Sequence, residues 1–462
     1  MLSAADNQVL TRSGPGTGMG ALFRRYWMPV ALSEELPEND GPPLRVRILG
    51  ESLLAFRDTE GRVGLVAPRC PHRGADLFWG RNEERGLRCV FHGWKFDVDG
   101  RCVDMPSVPE GSRMKETVRI DAWPTREWGG AVWAWLGPAG KIPELPMLEF
   151  ALVPPAHRYV SKKLQECNWA QACDGALDTA HFSFLHMPVA KDEEQVARLM
   201  SRAEASVQQV QNDRIRWLRD DPIPKFTVAA HAAGLAVGAA RKAGPGDLYW
   251  RISQFLMPNH TLAPSTFPGE NFHCQTFVPI TDEACWIYCF TWNPDRPLTE
   301  DERARYAEGH TIHAHIDANW VPIRNRSNDY LIDRAEQKTL SFTGITGVSE
   351  QDACIQDSQG LISDRTTENL GPTDIGIVRF RKLMIDAAKE LARGREPPSA
   401  WTPEAYLVRA GGWVASEDKR LAEVMTERFG DPFGRVGVDS KRDAGDQAVA
   451  TAPESTQRSS TP

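Results

Sequence analysis

Cys70, His72, Cys89 and His92 form the pattern C-x-H-x16-C-x2-H within CPHRGADLFWGRNEERGLRCVFHGW (70–94). Two thiolates and two imidazoles suit a metal, either a tetrahedral zinc or an iron–sulfur cluster in which two histidines replace two cysteines. A single residue between Cys70 and His72 is unusual for structural zinc. In the cluster arrangement each loop supplies one Cys and one His, so both cysteines bind one iron and both histidines the other. Pro71, Gly74, Gly86 and Gly93 leave the backbone free to approach the sulfides and donate N–H bonds.

A second set lies in CNWAQACDGALDTAHFSFLH (167–186). Asp178 and His181 are neighbours at i, i+3 on a helical face, and Asp174 stands one turn earlier. His181 and His186 are about 140° apart around an ideal helix. They share a metal only if the helix ends or distorts between them. Two imidazoles plus one carboxylate, with adjacent positions open, is the donor set of non-haem Fe(II) oxygenases. Two structural histidines on a helix are the competing reading. His310, His313 and His315 in GHTIHAHID read as surface or interface residues, because 313 and 315 would point to different helical faces.

The elements that must carry these residues divide the chain in two. At 462 residues it can hold two or three domains. An N-terminal segment, 1–24, leads through the amphipathic MGALFRRYW into a strand-and-turn region. LRVRILG, SLLAFRD, RVGLVAP and VWAWLG predict an all-β domain over 25–140, with the metal loops between its strands. The Pro-rich GPAGKIPELPMLEF (137–150) marks the boundary. Residues 141–436 mix periods: helix over 166–187, strands over 225–295, helices over 300–320, 349–364 and 376–393. The predicted class is α+β, an all-β domain followed by a mixed α/β domain in which helices flank an antiparallel sheet. The tail, 437–462, reads as disordered.

Charge and composition exclude several classes. Lys and Arg number 54 against 62 Asp and Glu, a net −8 without a basic block, which argues against nucleic acid. No run of eighteen apolar residues appears, and MLSAADNQVLTRSG lacks a signal-peptide pattern, so the expectation is a cytoplasmic protein with no membrane association. Nine cysteines, odd in number and scattered, do not suggest a disulfide framework. No G-x-G-x-x-G follows a predicted strand. NADH and flavin would therefore act only through a separate reductase.

CPHRGADL…CVFHGWKFD resembles the Rieske [2Fe–2S] motif of bacterial aromatic-ring oxygenases, and NWAQACDGALDTAHFSFLH resembles the iron-binding helix of their α subunits. The resemblance runs from LTRSGPGTGMGALFRRYWMPVALSEEL to about residue 430 and looks most like the phthalate 4,5-dioxygenase branch. It implies Cys70 and Cys89 on one iron of the cluster and His72 and His92 on the other. It further implies a mononuclear Fe(II) on His181, His186 and a distal carboxylate. Asp352 in GVSEQDACIQDSQG is the candidate, with Asp357 and Glu350 as alternatives, although Ser349-x-x-Asp352 also reads as a capping box. Asp178 would bond His181 Nδ1 and meet a Rieske histidine of a neighbouring subunit, in a homotrimer or hexamer. Asn168 matches an outer-sphere group near the iron, and Asp174 supports the helix.

The implied activity is that of an oxygenase component, using O2 and electrons from a reductase, with or without a ferredoxin. It would hydroxylate or dihydroxylate an aromatic acid resembling phthalate or phenoxybenzoate. O-demethylation of a methoxylated aromatic acid is the alternative, and a Rieske electron carrier or a zinc protein is the remaining class. An anionic substrate needs a cation. Arg251, in YWRISQF on a predicted strand, is the candidate, since guanidinium binds carboxylate bidentately; an ordinary surface arginine is the competing reading. Phe182, Phe184 and Trp169 are candidate apolar walls. Phe182 stands where a phthalate-selective relative would carry a small polar residue.

Overall fold

The strand-and-turn pattern after Leu44 folds into two antiparallel four-stranded sheets. One orders Leu44–Ile48, Glu51–Arg57, Val63–Val66 and Ala122–Trp123. The other orders Arg81–Glu83, Gly86–Arg88, Lys95–Phe96 and Cys102–Asp104. Leu54, Phe56, Leu77, Leu87, Trp94 and Phe96 pack with Cys70 and Cys89 in one apolar core. A third sheet joins Trp27–Leu32, Ala131–Trp135 and Thr125–Trp128. Its first two strands are buried along their whole length because they also face the second domain, where Trp133 stacks on Phe290. The computed structural model describes residues 1–189, 213–264 and 271–437, so the reading of the tail lies outside them except at residue 437.

The second domain is built on an eight-stranded antiparallel sheet. Its order is Arg158–Gln165, Cys285–Trp292, Phe272–Pro279, His260–Ala263, Asp247–Leu256, Gly234–Gly244 and Lys225–His231. Gly411–Ser416 pairs with Asp247–Ile252, beyond the stretch that His260–Ala263 uses. β-Branched and aromatic runs such as CWIYCFTW suit strands buried on both faces. The helix Ile375–Ala392 buries Ile377, Phe380, Met384, Ile385, Ala388 and Leu391, a stripe of helical period. It packs against the short helix Gly18–Phe23, which ties the N-terminal segment to this domain.

Three expected helices are shorter than the sequence suggests. Glu300–Ala307 opens on a capping box between Thr299 and Glu302 and stops before Gly309, whose φ of 94° ends helical geometry, so 310–320 is loop. His313 is correspondingly not a surface residue. It is buried on a loop, with Nδ1 2.7 Å from Ser161 Oγ and Nε2 2.8 Å from Thr291 Oγ1. Val348–Ser358 replaces 349–364. Helix 166–187 is confined to Trp169–Leu177, for reasons that belong to the site. Among the described residues no helix is long and apolar enough to cross a membrane.

Candidate metal centres

The two Cys/His loops are near copies of one another. In the first, Cys70 N–H donates to Ala75 O and Gly74 N–H to Cys70 O, both at 2.9 Å. In the second, Cys89 N–H donates to Trp94 O at 2.8 Å and Gly93 N–H to Cys89 O at 3.0 Å. Gly74 and Gly93 hold φ of 75° and 78°, and a Cβ at Gly93 would lie 2.6 Å from Pro106 Cγ, so the turn excludes a side chain there. Each loop thus folds back on its own cysteine and presents its histidine outward. The His72 and His92 rings meet edge to face at 4.4 Å, and His72 stacks on Trp94.

These four residues fit a two-iron cluster better than a single ion. Four ligands on one zinc sit within about 4 Å of one another. Among the described residues, the group whose donor atoms all lie within 4.8 Å of one another is a different one: His181, His186 and Asp352. Burial, then the neighbouring Cys89, pushes the Cys70 thiol up to about 11, so a thiolate there calls for bound cations. His92 Nδ1 is buried without a hydrogen-bond partner, as a metal ligand would be before its metal is added.

The second centre begins where a helix stops. Asp178 leaves helical geometry at φ −73°, ψ 114°, and its Oδ1 accepts from Ala180 N–H at 2.7 Å. This Asx turn competes with a further helical turn. A single 3-10 turn, His181–Ser183, follows. The break brings His181 Nε2 within 2.9 Å of His186 Nε2, despite their five-residue spacing. Asp352 Oδ1 arrives from the helix Val348–Ser358, 3.2 Å from His186 Nε2 and 3.5 Å from His181 Nε2. That helix lies close against Trp169–Leu177 at Gly175, where a Cβ would collide with Gln356. Ser349 and Asp352 sit inside the helix rather than boxing its start, and Ser349 Oγ accepts from the buried Lys163 Nζ.

Proton inventory shows what the three donors are suited to hold. Gln351 Nε2 donates to Ile345 O at 2.8 Å, which turns its Oε1 toward His186 Nδ1 at 2.7 Å and requires N–H there. Asp178 Oδ2, 3.5 Å from His181 Nδ1, favours N–H there as well. Both Nε2 atoms are then lone pairs, and they converge with a carboxylate oxygen without a proton between them. Three acceptors in mutual contact call for a cation, and two imidazoles with one carboxylate suit ferrous iron. Burial opposes charge on Asp178, His181 and Asp352. Even so, Asp178 and Asp352 raise the proton affinity of His181, while His181 lowers that of Asp178 and both histidines lower that of Asp352.

The other expected site residues divide. Arg251 is buried, with its guanidinium 4.2 Å over the Phe182 ring and Nε donating to Thr179 Oγ1 at 3.1 Å. Phe182 in turn flanks His181 and His186, at ring separations of 4.9 and 4.6 Å. Phe184 is corrected: it is 50% exposed against Phe342 and does not wall a buried pocket. Trp169 is a core residue between Phe23 and Phe380. Asn168 is corrected from an outer-sphere group to the helix N-cap. Its Oδ1 accepts from Ala170 N–H and its Nδ2 donates to the Thr11 and Asp282 carbonyls, at the far end of the helix, roughly 15 Å along the axis from Asp178.

Asp174, one turn before Asp178, is bridged by Arg365 and Arg381. Asp357 is bound by Gln165 and Tyr330, and Glu350 accepts from His315 N–H, so neither alternative carboxylate belongs to the group of three. Gln351 and Thr179 escaped sequence reasoning. Their only signal is adjacency to Asp352 and Asp178, which does not say what they touch.

Comparison with known proteins accords with this geometry. The Rieske [2Fe-2S] domain family matches residues 26–124, and the family described as "LigXa C-terminal domain like" matches 134–409. The oxygenase subunit of phthalate 4,5-dioxygenase from Pseudomonas putida is 39% identical over 408 residues, covering 85% of this chain and 88% of the relative. The 3-chlorobenzoate-3,4-dioxygenase oxygenase subunit from Comamonas testosteroni is 37% identical, covering 89% and 95%. The 5,5'-dehydrodivanillate O-demethylase oxygenase subunit from Sphingobium sp. is 32% identical, covering 86% and 83%. Dicamba monooxygenase bound to 3,6-dichlorosalicylic acid shares the fold, with a TM-score of 0.53 at 18% identity over 80% of this chain and 99% of that one. The two ligand loops, the histidine–carboxylate group and matches along most of the chain lead to one conclusion: this is an oxygenase subunit of the Rieske non-haem iron aromatic-ring oxygenases, in the phthalate 4,5-dioxygenase-like branch, with a Rieske [2Fe–2S] cluster and a mononuclear iron as cofactors.

Proposed function

We propose that this oxygenase subunit acts on an aromatic carboxylic acid of the substituted-benzoate or phthalate type, adding one or two hydroxyl groups. The observation that carries this reading is Arg251, a buried cation stacked over Phe182, the ring that flanks both histidines of the iron group. Its bond to Thr179 fixes the plane of the guanidinium, and a fixed fork suits a carboxylate more than a neutral ring. The names of the phthalate and chlorobenzoate relatives agree. Apolar Phe182 and the O-demethylase relative favour a second reading, O-demethylation of a methoxylated aromatic acid.

Residues 25–140 would serve as the electron-transfer domain and 141–436 as the catalytic domain. Cys70, Cys89, His72 and His92 would hold the cluster, and His181, His186 and Asp352 the ferrous ion. The cluster supplies single electrons and the ion, with positions left open by three ligands, supplies oxygen activation. The chain's own residues prepare that chemistry. Gln351 and Asp178 keep the Nδ1 protons on His186 and His181, so both Nε2 lone pairs face the ion. Arg251 orients the substrate carboxylate, and Phe182 excludes water from one side of the site.

Asp178, 27% exposed, would meet a Rieske histidine of a second copy, as in a homotrimer or hexamer. The exposed Phe91 and Val90 beside His92 support contact with another protein surface. Electrons from NADH would reach this enzyme, in the cytoplasm on this reading, through a separate reductase, with or without a ferredoxin. A panel of benzoates, phthalates and methoxybenzoates, given NADH and a reductase of this enzyme class, tests the reading. Oxygen-dependent product from acids and none from their neutral amides is expected. Turnover of neutral aromatics alone would overturn it.

A further inference from the structure

Two buried guanidiniums grip one residue of the turn between Asp178 and His181. Arg241 Nη2 donates to the Thr179 carbonyl at 2.9 Å, and Arg251 Nε donates to Thr179 Oγ1 at 3.1 Å. The arginines stand on adjacent strands, where Ala239 pairs with Arg251 and Arg241 with Tyr249, so both side chains leave the same face of the sheet. Arg241 Nε also donates to the Asp221 carbonyl at 3.2 Å. Its guanidinium therefore spans two backbone carbonyls, one at the metal-site turn and one just after the helix Asp213–Asp220.

Stability alone does not call for a guanidinium here. A buried cation is unfavourable without a carboxylate partner. Among the described residues, Arg241 bonds two carbonyls and no carboxylate, and its Nη1 is buried without any partner. Burial, then the neighbouring Arg251, pushes its pKa down to about 10. What the arrangement provides is a fixed turn. Residues 178–180 lie beyond the helix Trp169–Leu177, and Thr179 accepts hydrogen bonds from these two arginines. The same three residues carry the Asp178 carboxylate and launch His181.

We propose that Arg241 is a positioning residue for the mononuclear centre: by clamping the Thr179 carbonyl to the sheet, it aims His181 Nε2 at His186 and Asp352 and keeps Asp178 against His181 Nδ1. The proposal rests on the assignment of His181, His186 and Asp352 as metal ligands.

The test strips the mononuclear site of the full-length, cluster-containing protein with a chelator and titrates it with Co(II), followed by ligand-field absorption. Arg241→Met removes both carbonyl bonds. Arg241→Lys keeps the charge but cannot span two carbonyls, and it serves if the Met variant does not fold. Co(II) affinity should fall by about tenfold or more, the range for orienting partners of metal ligands, with altered ligand-field bands and an unchanged Rieske absorption and circular dichroism spectrum. A lowered melting temperature with wild-type Co(II) affinity and bands would overturn the proposal, because it would show a purely structural role. If wild-type protein binds no Co(II), or His181→Ala binds it equally well, the ligand assignment fails instead.

Discussion

Gln351 Oε1 accepts the Nδ1 proton of His186 at 2.7 Å, and the same amide is oriented by its bond to the Ile345 carbonyl. Orientation passes from a backbone carbonyl, through an amide, to the ring whose Nε2 faces Asp352. Gln351→Leu keeps the bulk and removes the acceptor, which frees His186 to change tautomer. Metal affinity at the mononuclear site should fall about 10- to 100-fold, measured by competitive chelation. The visible spectrum of the cluster should not change.

Metal content separates the oxygenase from the remaining classes. Purified protein should hold about three irons per chain, two in the cluster and one mononuclear. Mild chelation should remove about one of them and leave the cluster absorption in place. Zinc at Cys70, His72, Cys89 and His92, or iron in the cluster alone, would contradict the assignment.

Asp178 Oδ2 lies 3.5 Å from His181 Nδ1, on the side of the ring away from the Nε2 that meets His186, and its proposed role is to orient that ring. Asp178→Asn should leave both centres loaded, yet slow substrate-triggered reoxidation of the reduced cluster by roughly 10- to 100-fold. Stopped-flow absorption of the cluster reads this directly. A wild-type rate would remove Asp178 from the path between centres.

Arg251→Met should weaken binding of an aromatic carboxylate by about 2 kcal/mol or more, and should not change binding of the matching neutral amide. Calorimetric titration of both ligands against both proteins gives the comparison. Equal losses for acid and amide would point to a packing role over Phe182.

Burial holds the imidazoles of His260 and His273 down to about 3, against 6.5 for an ordinary histidine. The unfolded chain therefore binds protons that the folded chain refuses. Stability is full above about pH 6.5 and declines on acidification toward pH 3, by about 1.4 kcal/mol per pH unit for each histidine. Urea unfolding at pH 7 and pH 5 should differ by about 2 kcal/mol per histidine, and His260→Gln should remove its share of that slope. A slope unchanged in the variant would show that His260 takes up its proton in the folded protein.

Local spacing alone encodes those parts of the chain whose geometry one turn or one strand period sets. C-x-H and C-x2-H with their glycines encode two self-closing loops, and alternating apolar residues encode the sheets that hold them. Asp178, His181 and His186 are legible for the same reason, although the helix ends at Leu177, before both histidines rather than between them. What lies across the fold was not legible in that way. Gln351 is 165 residues from the ring it orients, and Arg241 reaches Thr179 only because two strands and a helix end pack together. Asn168 shows the converse: its neighbours in sequence suggest the iron, while the carbonyls of Thr11 and Asp282 claim its amide. His313, which reads as a surface or interface residue, is drawn inside by Ser161 and Thr291. Spacing specifies donors within a turn; which distant groups satisfy their remaining hydrogen bonds is decided by packing, because only the folded sheet brings those partners within reach.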